Sequence, residues 1–186
     1  MSALTKVELA EDIQDELGYQ LGKAKETADL VINVIKQSIF NKKLIYIPKH
    51  MKIGSSIKAE RIGRNPKTGK DAVISRRHSI RAITGTFPEM NTKLTKSTFI
   101  EELQELDFSF SDATILVEVF YKFIGKIKDG ENRIEIRGLG SFRSELLDAR
   151  TVRNPRTGEK VNKPSYYQPM FKCSTSLRKS MDKQYL

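Results

Sequence analysis

Arg61-Ile-Gly-Arg-Asn-Pro-Lys-Thr-Gly-Lys70 returns, with few changes, as Arg150-Thr-Val-Arg-Asn-Pro-Arg-Thr-Gly-Glu159, eighty-nine positions further along the chain. Each copy sets a proline two residues ahead of Thr-Gly, with cations on both sides and alternating apolar residues before it. Asn-Pro-Lys-Thr-Gly is turn chemistry, because proline presets φ and glycine accepts a positive φ. The alternation reads as strand. One unit is therefore present twice, and each copy carries a basic hairpin tipped by a rigid apolar ring.

Thirty-three Lys and Arg against twenty-three Asp and Glu leave the 186-residue chain with a net charge of +10, which favours a polyanionic partner. The charge is concentrated: Lys58 to Arg81 holds eight cations and only two anions, Glu60 and Asp71. No apolar run approaches the roughly 18 residues of a membrane span, and Met1 to Lys6 has no apolar stretch behind its charge. A cytoplasmic location with no membrane partner is expected. The single Cys173 excludes an intrachain disulfide and reads as a small buried thiol. The two histidines, His50 and His78, are too far apart in sequence for a metal set and read as ordinary surface residues. No paired carboxylates, nucleophile–base set or phosphate loop is present. No catalysis, cofactor, metal or small-molecule substrate is expected.

Thr5-Lys-Val-Glu8 is a capping box ahead of Leu9, Ala10, Ile13 and Leu17 at helical spacing. Gly18 and Gly22 bracket a break, and Ala24, Ala28, Val31, Ile32, Ile35 and Ile39 mark a longer helix. The period then changes to two at Leu44-Ile-Tyr-Ile47 and at Ile53, Ser55 and Ile57. From Thr95 the order repeats. Ile100, Leu103 and Leu106 give a first helix, and Ser111 or Asp112 can cap a second along Ala113, Leu116, Phe120, Phe123 and Ile127, which Asp129-Gly130 ends. Strands follow at Ile134–Ile136 and Phe142–Leu146, joined by Gly138-Leu-Gly140. Ser174 to Met181 reads as a terminal helix that unit one lacks, since the chain there reaches Gly85-Thr-Phe-Pro88. The division is unit one over 1–87, a linker over 88–94 and unit two over 95–186. A linker of about nine residues from Thr86 spans at most roughly 30 Å, so the units must lie side by side.

This order, with Arg64-Asn-Pro-Lys-Thr-Gly69, Arg153-Asn-Pro-Arg-Thr-Gly158, Gly138-Leu-Gly-Ser-Phe142 and Pro169-Met-Phe171, resembles the bacterial histone-like HU and integration host factor (IHF) family over nearly the whole chain. The resemblance implies an α+β fold in which two units form an intertwined helical body with two β-ribbon arms, here as an intramolecular pseudo-dimer and hence a monomer in solution. It implies a nucleoid-associated architectural protein whose partner is double-stranded DNA, bent or compacted by prolines wedged into the minor groove. On that resemblance Pro66 and Pro155 are the wedges, flanked by Arg64, Asn65, Lys67, Arg153, Asn154 and Arg156. Lys58, Arg61, Lys70, Arg76, Arg77, Arg150, Lys160 and Lys163 would meet phosphates. Tyr166 and Tyr167 are expected to pack near Pro169 and Phe171.

Two departures bear on function. His50-Met51 stands where turn glycines are expected, so the first hairpin of unit one is expected to be reshaped. Arm two has Val152 in place of Gly63 and is less basic. The alternative reading is an interaction or regulatory protein, making protein or RNA contacts, in which one arm has lost DNA bending. A plain β-turn is the alternative role for each proline, and a solvated strand edge for Arg76-Arg77-His78.

Overall fold

The computed structural model describes residues 2–83 and 92–185. Unit one runs β1 (Ser2–Leu4), α1 (Lys6–Leu17), α2 (Leu21–Phe40), β2 (Leu44–Ile47), β3 (Met51–Lys58), β4 (Arg61–Arg64), β5 (Asp71–Ile74) and β6 (Arg77–Ile83). Unit two runs β7 (Lys93–Leu94), α3 (Lys96–Gln104), α4 (Phe110–Gly125), β8 (Asn132–Ile136), β9 (Gly140–Leu147), β10 (Arg150–Arg153), β11 (Lys160–Lys163), β12 (Tyr166–Cys173) and α5 (Thr175–Tyr185).

The capping box forms at Thr5: its hydroxyl accepts from the Val7 N–H at 3.2 Å, and its own N–H donates to Glu8 Oε2 at 2.7 Å. Gly18 ends α1 at a φ of 65°, a conformation without penalty only for glycine. Gly22 does not take part in the break, because α2 has already begun at Leu21. In unit two the cap is Ser109 and not Ser111 or Asp112. Its hydroxyl accepts from the Asp112 N–H at 3.0 Å, which starts the helix two to three residues earlier. Leu106 lies beyond the end of α3 and is largely exposed. The second helix stops at Gly125, and Gly130, at φ 72°, closes the turn that follows, with Ile127 still fully buried.

One sheet of eight strands holds both units together, in the order β1-β8-β9-β12-β6-β3-β2-β7. The seam is β12 against β6, with Lys172 opposite Arg81. The first strand of each unit crosses over: β1 pairs in parallel with β8 of unit two, and β7 pairs in parallel with β2 of unit one. Lys93 and Leu94, read from sequence as the end of the linker, thus belong to the sheet, and Leu94 is buried as a consequence. Residues 84–91, on which fall the linker's first four residues and the expected absence of a terminal helix in unit one, lie outside the described residues.

The helical stripes of both units and one face of the sheet bury a single core. Phe99, Phe120, Phe123 and Phe142 are fully buried, each contributing roughly 1.5–3 kcal/mol relative to exposure. All four come from unit two, whereas the positions equivalent to Phe99, Phe120 and Phe142 in unit one are Leu9, Val31 and Ile53. Unlike partners fill the shared interior. Ion pairs between units include Lys122–Glu16 at 2.8 Å and Lys126–Asp12 at 2.6 Å at the surface and the half-buried Lys43–Glu102 at 2.6 Å; surface pairs contribute about 0–1 kcal/mol each, so burial of the apolar core decides the pairing.

The expected reshaping of the first hairpin does not occur. Three residues join β2 to β3, as they join β8 to β9, and Ile45 faces Ile53 just as Ile134 faces Phe142. Lys49 takes the left-handed conformation, φ 63°, that Gly138 takes at φ 80° in unit two. A backbone fixed by pairing on both sides imposes that strain on a lysine.

His78 is not a surface residue, and His50 is only partly exposed. His50 is half-buried, and desolvation, with Lys128 and Lys49 nearby, lowers its pKa. His78 is 1% exposed and reaches across the units: its N–H donates to Asp182 Oδ1 at 2.7 Å, and its Nδ1 lies 2.9 Å from the same oxygen. Tyr185 lies edge-on to the His78 ring and also meets Phe40, so α5 of unit two is fastened to unit one. Burial pushes the Asp182 carboxyl up, but the hydrogen bonds from His78 outweigh it and leave the pKa below the usual aspartate value. A depressed carboxyl contributes stability above its unfolded pKa of about 3.9, lost as pH falls through the lower folded value. Asp182→Ala, which leaves a buried donor unmatched, is expected to cost about 1–3 kcal/mol in urea unfolding at neutral pH. The gap from the parent should close on acidification, and a gap independent of pH would discredit the linkage.

Candidate nucleic-acid interface

Two ribbons stand apart from the eight-stranded sheet: β4 with β5, and β10 with β11. Their tips are built alike. The Asn65 carbonyl accepts from the Gly69 N–H at 2.8 Å, its N–H donates to the Lys70 carbonyl at 2.9 Å, and its Oδ1 accepts from the Lys67 N–H at 2.9 Å. At Asn154 the partners are Gly158, Glu159 and Arg156, at 2.8, 2.8 and 2.9 Å. Arg64 Nε donates to the Gly69 carbonyl at 2.9 Å, and Arg153 Nε to the Gly158 carbonyl at 2.8 Å. Gly69 and Gly158 take φ of 68° and 75°, the conformation this closed turn requires. Each turn holds an exposed proline, Pro66 or Pro155, at its apex. Proline has no N–H, so no donor is left unpaired there.

The cations read as flanking the wedges or meeting phosphates fall on these ribbons and their roots, and all are exposed. Arg61 lies on β4, Lys67 and Lys70 at the first tip, Arg150 on β10, Arg156 at the second tip, and Lys160 and Lys163 on β11. Lys58 pairs with Arg77 at the root of arm one, and Arg76 precedes β6. His78, next in the chain, turns the other way into the core. Tyr167 shares its face of β12 with Pro169 and Phe171, as expected, whereas Tyr166 lies on the opposite face. The Tyr166 hydroxyl accepts from Lys163 Nζ at 3.1 Å, the Tyr167 ring lies against Gly130, and Phe171 packs on Phe142 with ring centres 4.7 Å apart.

Beside Arg77, which the sequence reading included, four cations not anticipated as contacts lie on the body: Lys52, Arg81, Arg143 and Lys172. His78, Ile80, Ile53, Phe142 and Phe171 are buried on the helix side of the sheet, so the alternating residues Arg77, Arg81, Lys52, Arg143 and Lys172 lie on the opposite side. Arg81 and Lys172 meet at the seam between units. Glu145 is paired with Arg143 on that face. The alternation was readable in Arg77-His-Ser-Ile-Arg81, but only the β6–β12 seam joins the two halves into one basic surface.

Among the described residues no cluster of His, Cys, Asp and Glu could hold a metal ion, and no helix is long and apolar enough to cross a membrane. Cys173 is half-buried against the core, and desolvation pushes its thiol up to about 11, which disfavours the reactive thiolate.

The family described as Bacterial DNA-binding protein matches twice, over residues 4–86 and 94–182. Integration host factor subunit beta of Nitrosomonas europaea is 37% identical over 91 residues, 48% of this chain and 87% of that protein. The subunit of the same name from Saccharophagus degradans is 38% identical over 87 residues, 46% of this chain and 89% of that protein. Among solved structures, an Anabaena HU–DNA cocrystal structure is 24% identical, covers 47% of this chain and 96% of that one, and has a TM-score of 0.42.

Proposed function

The chain belongs to the bacterial DNA-binding protein family, the non-catalytic HU/IHF group, as two units in one polypeptide, and from that premise we propose that it bends duplex DNA as a single-chain pseudo-dimer. We divide it into unit one over 1–87, a linker over 88–94 whose last two residues join the sheet, and unit two over 95–186. The arms enter the minor groove, where Pro66 and Pro155 wedge between base pairs. Arg64, Asn65, Lys67, Arg153, Asn154 and Arg156 line the groove at the tips. Lys58, Arg61, Lys70, Arg76, Arg77, Arg150, Lys160 and Lys163, joined by Arg81 and Lys172 on the body, neutralise phosphates. Such a protein works on the nucleoid.

The observation that carries this reading is the matching construction of two exposed Asn-Pro tips, each on its own basic two-stranded ribbon. Minor-groove proteins of this kind insert apolar wedges that partly unstack a base step, at a cost of about a few kcal/mol offset by contacts to the bent duplex. Preserved geometry at both tips, with an undistorted first hairpin, weighs against the reading in which one arm has drifted to protein or RNA. Gel retardation of linear duplex, nicked duplex, RNA and single strands tests the proposal. Duplex is expected to bind in preference to single strands and RNA, with nicked duplex tighter still because it is already easy to bend. Equal retardation of all four would overturn it.

A further inference from the structure

The helix α5 covers the root of arm one. On the helix side of β6, His78 and Ile80 are 1% and 8% exposed. Three residues there receive α5 directly. His78 binds Asp182, the Phe40 ring meets that of Tyr185 with centres 5.8 Å apart, and Lys42 Nζ lies 3.8 Å from the centre of the Tyr185 ring. Unit two repeats the same positions eighty-nine residues further on, with Tyr167 and Pro169 for His78 and Ile80. Tyr167 is 45% exposed, and Leu146, its neighbour across the strands, 54%. Among the described residues no helix takes the place of α5 there. The positions equivalent to Asp182 and Tyr185 are Lys93 and Lys96, and these are drawn into β7, paired with β2, and into the first turn of α3.

The rim of this bare face is acidic. Asp129, Glu131 and Asp148 occupy the positions of Phe40, Lys42 and Ala59, and all three are exposed. Asp129 and Glu131 bracket Gly130, against which the Tyr167 ring rests. Lys128, the cation of that turn, lies near His50, and the cations of arm two begin on the ribbon at Arg150 and Lys163. In a chain of net charge +10, an apolar strip with an acidic edge is thus set on the side of the sheet away from Arg81 and Lys172. A duplex is repelled by such an edge. Exposed apolar residues rimmed by charge suit a protein contact.

We propose that the root of arm two is a docking surface for a basic amphipathic helix of another protein. The apolar stripe of that helix lies on Leu146, Tyr167 and Pro169, as α5 lies over β6. Its lysines or arginines meet Asp129, Glu131 and Asp148, in the place where α5 offers an aromatic ring to Phe40 and Lys42. Because the seat faces away from the basic side of the sheet, the partner and a duplex are held at the same time. The proposal adds a protein partner to the duplex-binding reading and is tested without DNA.

The probe is a synthetic amphipathic helix of lysine and leucine, about 18 residues long so that it is helical on its own. It is titrated into the isotope-labelled full chain and followed by amide NMR. Elsewhere the net positive charge disfavours a basic peptide, so shifts are expected to concentrate at residues 129–131, 146–148 and 167–169. Leu146→Ser with Tyr167→Ser is expected to weaken peptide binding by about tenfold or more, while retardation of duplex, which also reports a folded chain, stays equal to the parent's. Asp129→Asn with Glu131→Gln and Asp148→Asn is expected to weaken binding at low salt, with the difference shrinking as salt rises. No binding, shifts spread over other faces, or affinity untouched by either set of substitutions overturns the proposal. Self-association of the parent chain that Leu146→Ser with Tyr167→Ser abolishes, without peptide binding, assigns the face to a second copy and overturns it equally.

Discussion

Raising monovalent salt from 50 to 200 mM is expected to weaken duplex binding by about 10³- to 10⁵-fold. That range follows if about six to ten phosphates are neutralised, since each releases condensed counterions with a slope near −0.9 in log affinity against log salt. Twelve exposed cations on the arms and their roots are candidates: Lys58, Arg61, Arg64, Lys67, Lys70, Arg76, Arg77, Arg150, Arg153, Arg156, Lys160 and Lys163. Arg81 and Lys172 add two on the body. Fluorescence titration of a labelled duplex at several salt concentrations measures the slope. A slope shallower than about −3 would mean that most of these side chains stay in solvent, and the interface as drawn would be wrong.

Pro66→Ala with Pro155→Ala is expected to remove most of the bend while leaving a folded protein that still binds. Alanine lacks the rigid ring that holds a base step open, and wedges of this type kink a duplex by roughly 20–90°. Turn geometry should survive, because it is held by the Asn65 and Asn154 side chains and the closing N–H groups, none of which belongs to proline. Each single substitution is expected to remove one kink. Energy transfer between dyes at the two duplex ends reads the outcome: the doubly substituted chain should give a nearly straight complex. A bend equal to that of the parent would assign the prolines to the turn alone.

The two results bear on separate parts of the site. Salt reports the charge along the arms and the body, whereas proline replacement reports only the tips. A chain with a steep salt slope and no bend would still be a duplex-binding protein, but not one that works by wedging.

The parts of the site that were legible in the sequence are those whose structure is local. Asn65 and Asn154 build their turns from contacts within five residues, so Asn-Pro-Lys-Thr-Gly and Asn-Pro-Arg-Thr-Gly determine the tip almost alone. Thr5 and Glu8 do the same for the start of α1. His78 was misread because its partner, Asp182, is 104 residues away. Its place beside Ile80 in the strand alternation pointed inward, but nothing local supplied the acceptor that makes burial of an imidazole affordable. The first hairpin was misread for a related reason: Lys49 is a poor residue for a positive φ, and only pairing on both strands holds it there.

By itself the sequence determined that there are two units, that each has helical stripes and a proline-tipped basic ribbon, and that no catalytic set is present. These are properties of neighbours in the chain, set by side-chain period, turn chemistry and charge density. Only the tertiary structure decided that the opening strands exchange between units, that Arg81 meets Lys172 across a seam, and that α5 of one unit fastens the arm root of the other. Those contacts depend on burying unlike apolar faces in one core, and hydrophobic burial is non-directional. Which distant surfaces meet is therefore settled by how both units pack together, and not by the residues on either side of any one position.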